Sequence, residues 1–255
     1  MAHGNASDLS FLLLLIGAVL AWAKPDLLFQ PTFPLTDDAV ASLVTLGGGL
    51  AFLLGMTLSG VKWNPINGKM GGFGGMCAAA NAALIGTRTE QNFFYVFAVA
   101  LLIGAVHIFF FPSNPPVPKG PENKNNHGNI SDLVMLLMFI GSMACIFYPD
   151  VYFQDIGPVQ ASFTPADHPH RAQLEALISF CGGLFFTMSM VFSGVKWNPV
   201  NGKMAGIGCF VAAAIALFVG TGVFYFAFAG TLLVGGAHIF FFPSNLVPPK
   251  AEKAK

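Results

Sequence analysis

Charge is what this sequence has least of. Only 9% of its 255 residues are Asp, Glu, Lys or Arg, against about a quarter in an ordinary soluble domain. That is too little to cover a water-facing surface of this size. Lys and Arg together number 12, Asp and Glu 12, so the net charge is zero. Nucleic acid is therefore not an expected partner, because phosphate binding needs clustered cations. Cysteine is scarce as well. Cys77, Cys145, Cys181 and Cys209 all fall inside apolar runs, at places that differ between the two halves. They form no CxxC signature and no disulfide framework, and read as small hydrophobes. No HExxH, phosphate loop, nucleophile–base pair or pair of carboxylates is present. Acid–base chemistry in lipid needs ionisable groups at depth, and the apolar runs carry almost none beyond two histidines. An enzyme is not expected, nor an ion pump or proton-coupled carrier. The N-terminus lacks the basic region of a signal peptide, so the first apolar run reads as a retained anchor.

Long apolar runs are what the chain has instead, with 55% of its residues apolar. Eight runs lie at about 9–29, 39–61, 70–87, 93–111, 133–153, 174–195, 204–220 and 224–242, each about long enough to cross a hydrocarbon core. They are continuous rather than alternating, which predicts helices and not barrel strands. The first run of each half is short before its proline (Pro25, Pro149). It needs the following "DLLF" or "DVYF" to reach the interface.

The chain repeats itself. "HGNASDL" at His3 returns 124 residues on as "HGNISDL" at His127. "SGVKWNPINGKM" at Ser59 returns 134 residues on as "SGVKWNPVNGKM", with eleven of twelve letters shared. "GAVHIFFFPSN" at Gly104 returns 131 residues on as "GGAHIFFFPSN". The expected organisation is all-α and integral to the membrane. Repeat 1 spans 1–118 and repeat 2 spans 127–245, each with four helices, joined by a linker at 119–126 and followed by a basic tail at 246–255. Four is an even number, so the repeats share one orientation, with a pseudo-twofold axis along the membrane normal. Lys62, Lys69, Lys119, Lys124, Lys196, Lys203, Lys250, Lys253 and Lys255 fall on the side of both termini, against Lys24, Arg88 and Arg171 on the other. The positive-inside rule then places the termini and the repeated loops in the cytosol or its equivalent.

The repeated loop offers Lys62, Trp63, Asn64, Asn67 and Lys69 in the first half, and Lys196, Trp197, Asn198, Asn201 and Lys203 in the second. The plain reading is a tight turn, with Trp as belt aromatic, Lys as snorkelling anchor, and Asn-Gly supplying positive φ. The sharper reading is a pair of cationic sites for an anionic lipid headgroup or a partner protein. His107 and His238 lie near the end of the fourth helix of each half. They are candidate ligands for haem or chlorophyll, candidate proton relays, or simply packing residues. No cofactor is otherwise expected, and no metal site: "HPH" at His168 to His170 has too few ligands. Ser7 or Asn5 is the expected N-cap of the first helix, with Asp8 and Asp132 complementing the helix dipoles. Asn5 and Asn129 also begin Asn-x-Ser sequons that the cytosolic placement leaves unused. Small residues at helical spacing in the runs from Leu46, Gly71 and Ala205 predict close packing of the second and third helices. Asn81 is the strongest polar residue in mid-membrane, and its counterpart is Ile215.

Three functions follow from this pattern. The first is a structural or accessory subunit of a membrane assembly, with other subunits or a second copy as partner. The second is a passive channel for a small solute. The third is a haem- or pigment-binding protein acting through His107 and His238.

Overall fold

A computed structural model describes residues 5–112, 129–156, 160–163 and 168–243. His3, His127, the linker 119–126 and the basic tail 246–255 lie outside the described residues, as do the side chains of Asn5 and Asn129. The elements are α1 (Asn5–Ala23), α2 (Asp38–Gly60), α3 (Asn67–Thr89), α4 (Asn92–Phe110), α5 (Asn129–Phe147), α6 (Arg171–Gly194), α7 (Asn201–Val219) and α8 (Val223–Phe241). No strand occurs among the described residues. Seven of these helices are long and apolar enough to cross a membrane. The exception is α3, whose "NGKMGGFGGM" start replaces large apolar residues with glycine and polar groups.

The first helix of each half ends earlier than the run of apolar letters suggests. Proline lacks an amide hydrogen and clashes with the preceding turn. Thus α1 stops at Ala23 and α5 at Phe147, and each is followed by a short 3-10 turn, Pro25–Leu27 or Pro149–Phe153. These turns lay aromatic rings over the bundle end. Phe29 stacks on Phe33 and Phe93 at 4.3 and 4.4 Å between centroids. Phe153 packs on Phe163 at 5.5 Å.

Each helix has definite neighbours. α1 packs on α2 and α4, and α5 on α6 and α8. α3 packs on α4 and α6, and α7 on α8 and α2. α2 also meets α6, so α2, α3, α6 and α7 form the middle of the bundle. The most enclosed spans are α2 and α6, while α1 and α5 turn most of their surface outward. Leu12, Ile16 and Val19 of α1, and Leu133, Leu136 and Ile140 of α5, are exposed, as a lipid-facing surface requires.

In lipid there is no hydrophobic drive between helices, so close packing and interhelical hydrogen bonds hold them. Ser10 donates to the Ala100 carbonyl at 2.6 Å, joining α1 to α4. Thr187 donates to Gly74 at 3.2 Å, joining α6 to α3. Ser189 donates to Met135 at 3.0 Å, joining α6 to α5. The N-cap of α2 is Asp37, whose carboxylate accepts from the Val40 amide at 3.0 Å. Its other oxygen lies 3.4 Å from His168 Nε2, which fixes the second half's long loop to the first half. His168 Nδ1 meanwhile accepts from the His170 amide. Among the described residues no group of three metal-ligating side chains forms.

Candidate functional site at the repeated loops

The loop between α2 and α3 is built by two asparagines that bond each other's ends. The Asn64 side chain accepts from the amides of Ile66 and Asn67 at 2.9 and 3.1 Å. In return, the Asn67 side-chain oxygen accepts from the Asn64 amide at 2.7 Å. This is a capping box in which two asparagines stand where Ser and Glu usually stand, and Pro65 follows the cap where its missing amide costs nothing. The Asn67 side-chain NH₂ also donates to the Lys62 carbonyl at 3.1 Å, closing the loop. The second loop repeats each bond. Asn198 accepts from Val200 and Asn201 at 2.8 and 3.1 Å, and Asn201 accepts from Asn198 at 2.7 Å. Asn201 donates to Lys196 at 3.3 Å.

Three expectations for this loop need correction. Gly68 and Gly202 are helical residues and supply no positive φ. Each is glycine because a neighbouring backbone comes close. A Cβ on Gly68 would overlap the carbonyl oxygen of Ile108 in α4, and one on Gly202 that of Ile239 in α8. Trp63 and Trp197 are not belt aromatics. Each is 1% exposed, because small neighbours leave a slot for the ring: a Cβ on Gly71 would come within 2.8 Å of Trp63. Trp197 packs on Phe192 at 5.0 Å. Asn67 and Asn201, each 5% exposed, are turned into the loop they brace. What remains at the surface is cationic and apolar, since Ile66 and Val200 are exposed beside the lysines. Lys62, Lys69 and Lys203 are exposed and Lys196 is half-buried, while Asn64 and Asn198 are part-buried.

The two loops also touch each other. A Cβ on Gly60, at the end of α2, would lie 2.7 Å from Met204 and 3.5 Å from the Asn201 Cα. A Cβ on Gly194, at the end of α6, would lie 2.9 Å from Met70 and 3.2 Å from the Asn67 Cα. Each loop therefore seats the start of the other half's third helix. All four lysines belong to one end of the bundle.

His107 and His238 lie beside these loops, one residue before the carbonyls that meet Gly68 and Gly202. They sit on α4 and α8, which pack on α3 and α1 and on α7 and α5 respectively. Neither helix lines the middle of the bundle, so the two histidines do not face one another across it. His107 Nε2 is buried and has no hydrogen-bond partner among the described residues. Its ring runs alongside Phe111, with centroids 6.4 Å apart. On α1, Ser10 fits against Gly104, and one turn nearer the same end lies Ser7. The Ser7 hydroxyl is buried without a partner among the described residues, and Ser7 stands inside α1 rather than at its cap.

No protein-family model, no curated protein and no solved structure matches this chain.

Proposed function

We propose that the chain is a non-catalytic multi-pass membrane protein, a structural or accessory subunit of a membrane assembly, that docks through its paired lysine loops. The observation that carries this reading is the mutual seating of the two loops. It gathers Lys62, Lys69, Lys196 and Lys203 on one end of a closely packed bundle. Such a surface suits anionic headgroups or an acidic partner segment. The outward apolar faces of α1 and α5 offer further area to other subunits or to a second copy.

Eight crossings fit this reading best. α3 has 23 residues, a length of about 35 Å, which suffices for a core of about 30 Å. It is also flanked by α4 and α6, so its small residues meet helices rather than lipid. The helix neighbours map onto themselves when the halves are exchanged, which supports a pseudo-twofold axis along the membrane normal. The lysine bias places both termini on the cytosolic side.

A passive channel would need a path through α2, α3, α6 and α7. The cavity beside Thr57, Trp63 and Thr187 is lined by α1, α2, α3, α4 and α6 and not by α7, and its volume of about 20 Å³ has room for about one water. A haem or pigment would have to use His107 or His238 singly, from the flanks. The deciding experiment is the native mass of the endogenous protein after mild detergent extraction, with an absorption spectrum on the same band. A large assembly without colour is the expected result. Migration as a lone chain would overturn the subunit reading and direct attention to solute flux. A Soret or pigment band would make His107 and His238 ligands.

A further inference from the structure

At the end of the bundle away from the lysine loops, α3, α5 and α6 border an open cleft of about 470 Å³. This is the size of a small-molecule site, which usually runs to a few hundred Å³. Its walls are apolar, chiefly Leu84 and Ile85 of α3 and Ile146 and Phe147 of α5. Its rim carries Arg88 and Glu175. Its floor is a polar clasp. Asn81 Nδ2 donates to the Ser179 carbonyl at 2.9 Å, and the Ser179 hydroxyl donates to Asn81 Oδ1 at 3.3 Å.

The corresponding place in the other half is filled. The repeat offsets set Trp22 opposite Ile146, Thr45 opposite Ser179 and Ile215 opposite Asn81. The packing agrees with those offsets. Trp22 lies over Gly48 as Ile146 lies over Gly182, within 2.7 and 3.1 Å of where a Cβ would stand. Ile215 lies over Gly49 as Asn81 lies over Gly183, each at 3.1 Å. The Trp22 indole donates to the Thr45 carbonyl at 3.0 Å. The same backbone position thus receives a hydrogen bond in both halves. In one it comes from a bulky indole that occupies the space, in the other from a small amide that leaves it open.

We propose that this cleft binds one anionic membrane lipid per chain, with the head group on Arg88 and an acyl chain descending to the Asn81–Ser179 clasp. Arg88 is exposed and makes no ion pair among the described residues. Arg171, by contrast, bonds Glu175 at 2.7 Å and lies over the Phe153 ring. A guanidinium offers paired donors that match a phosphate. Arg88 stands seven residues from Asn81, about 10 Å along the helix, so the charge is at the mouth and the depth is apolar. The clasp satisfies its own bonded atoms, which lets hydrocarbon lie against it without leaving them unpaired.

The test uses the full chain, stripped of lipid in a non-ionic detergent and titrated with phosphatidylglycerol or phosphatidylcholine in native mass spectrometry. The wild type retains one phosphatidylglycerol per chain, at least tenfold more tightly than phosphatidylcholine. Ile146→Trp, which imports the residue of the filled half, abolishes that binding at an unchanged melting temperature. Arg88→Gln reduces phosphatidylglycerol to the level of phosphatidylcholine. Two equivalents or none in the wild type would overturn the proposal, as would unaltered binding in Ile146→Trp. Equal retention of the two lipids would remove the anionic head group from it. If Ile146→Trp fails to fold, the rim substitution decides alone, and an undiminished preference in Arg88→Gln refutes the assignment.

Discussion

Gly68 of α3 lies so close to the carbonyl of Ile108 in α4 that no Cβ fits between them. The contact joins the two most repeated motifs of the chain, the "KWNP" loop and the "HIFFFP" helix end. Gly202 and Ile239 make the same contact in the second half. A turn alone would tolerate drift in its letters. A turn that must seat on a neighbouring backbone and on its counterpart loop does not.

Gly68→Ala and Gly202→Ala are accordingly expected to destabilise the protein by about 1–3 kcal/mol each, the usual range for overpacking. Gly230 of α8 is the control, since a Cβ there meets nothing within 4 Å. Gly230→Ala is expected to be neutral or stabilising by about 0.5–1 kcal/mol, from helix propensity. Thermal unfolding in detergent compares the three. A Gly68→Ala protein as stable as Gly230→Ala would show that the two backbones are not in contact.

The capping box separates two asparagines with different tolerances. Asn64→Asp keeps an acceptor for the Ile66 and Asn67 amides and is expected to retain nearly full stability. Asn67→Ala loses the bonds to the Asn64 amide and the Lys62 carbonyl, at a cost of about 1–2 kcal/mol. The same melting experiment reads both, and an equal loss for the two would contradict the geometry.

Single cysteines at Lys69 and Lys203, in a Cys77→Ala background, are expected to react with a membrane-impermeant reagent from one face of sealed vesicles. Cysteines at Asp26 and Gln154 should react from the other. If α3 did not cross, Lys69 and Lys203 would lie on opposite faces. The labelling pattern thus distinguishes eight crossings from seven.

Replacing Lys62, Lys69, Lys196 and Lys203 together by Gln should release the protein from its assembly, or from anionic vesicles, at an unchanged melting temperature. The wild-type interaction should weaken as salt rises, because exposed charges are screened. Binding that survives both the substitution and high salt would move the docking surface to the apolar faces of α1 and α5.

Much of this architecture was legible in the letters. Scarce charge and long apolar runs indicate membrane helices, because a hydrocarbon core admits little else. The repeat offsets locate equivalent positions, and Pro25 and Pro149 mark where the first helix of each half must stop. The site was less legible. Trp63 looks like a belt residue in a list of letters, since the slot beside Gly71 exists only once α3 has folded back against the loop. The Asn-Gly pair looks like a positive-φ turn, since the carbonyl it must clear lies forty residues away on α4.

The sequence by itself determined the scarcity of charge, the long apolar segments and the recurrence of its motifs. These depend on composition and spacing, which act locally. The tertiary structure alone decided that the two loops seat each other, that the histidines stand on the flanks, and that one of two equivalent crevices is open. Those outcomes depend on which side chain fills a space shared by three helices. Trp22 and Ile146 occupy matching positions over matching glycines, and the larger indole takes up space that the smaller side chain leaves open.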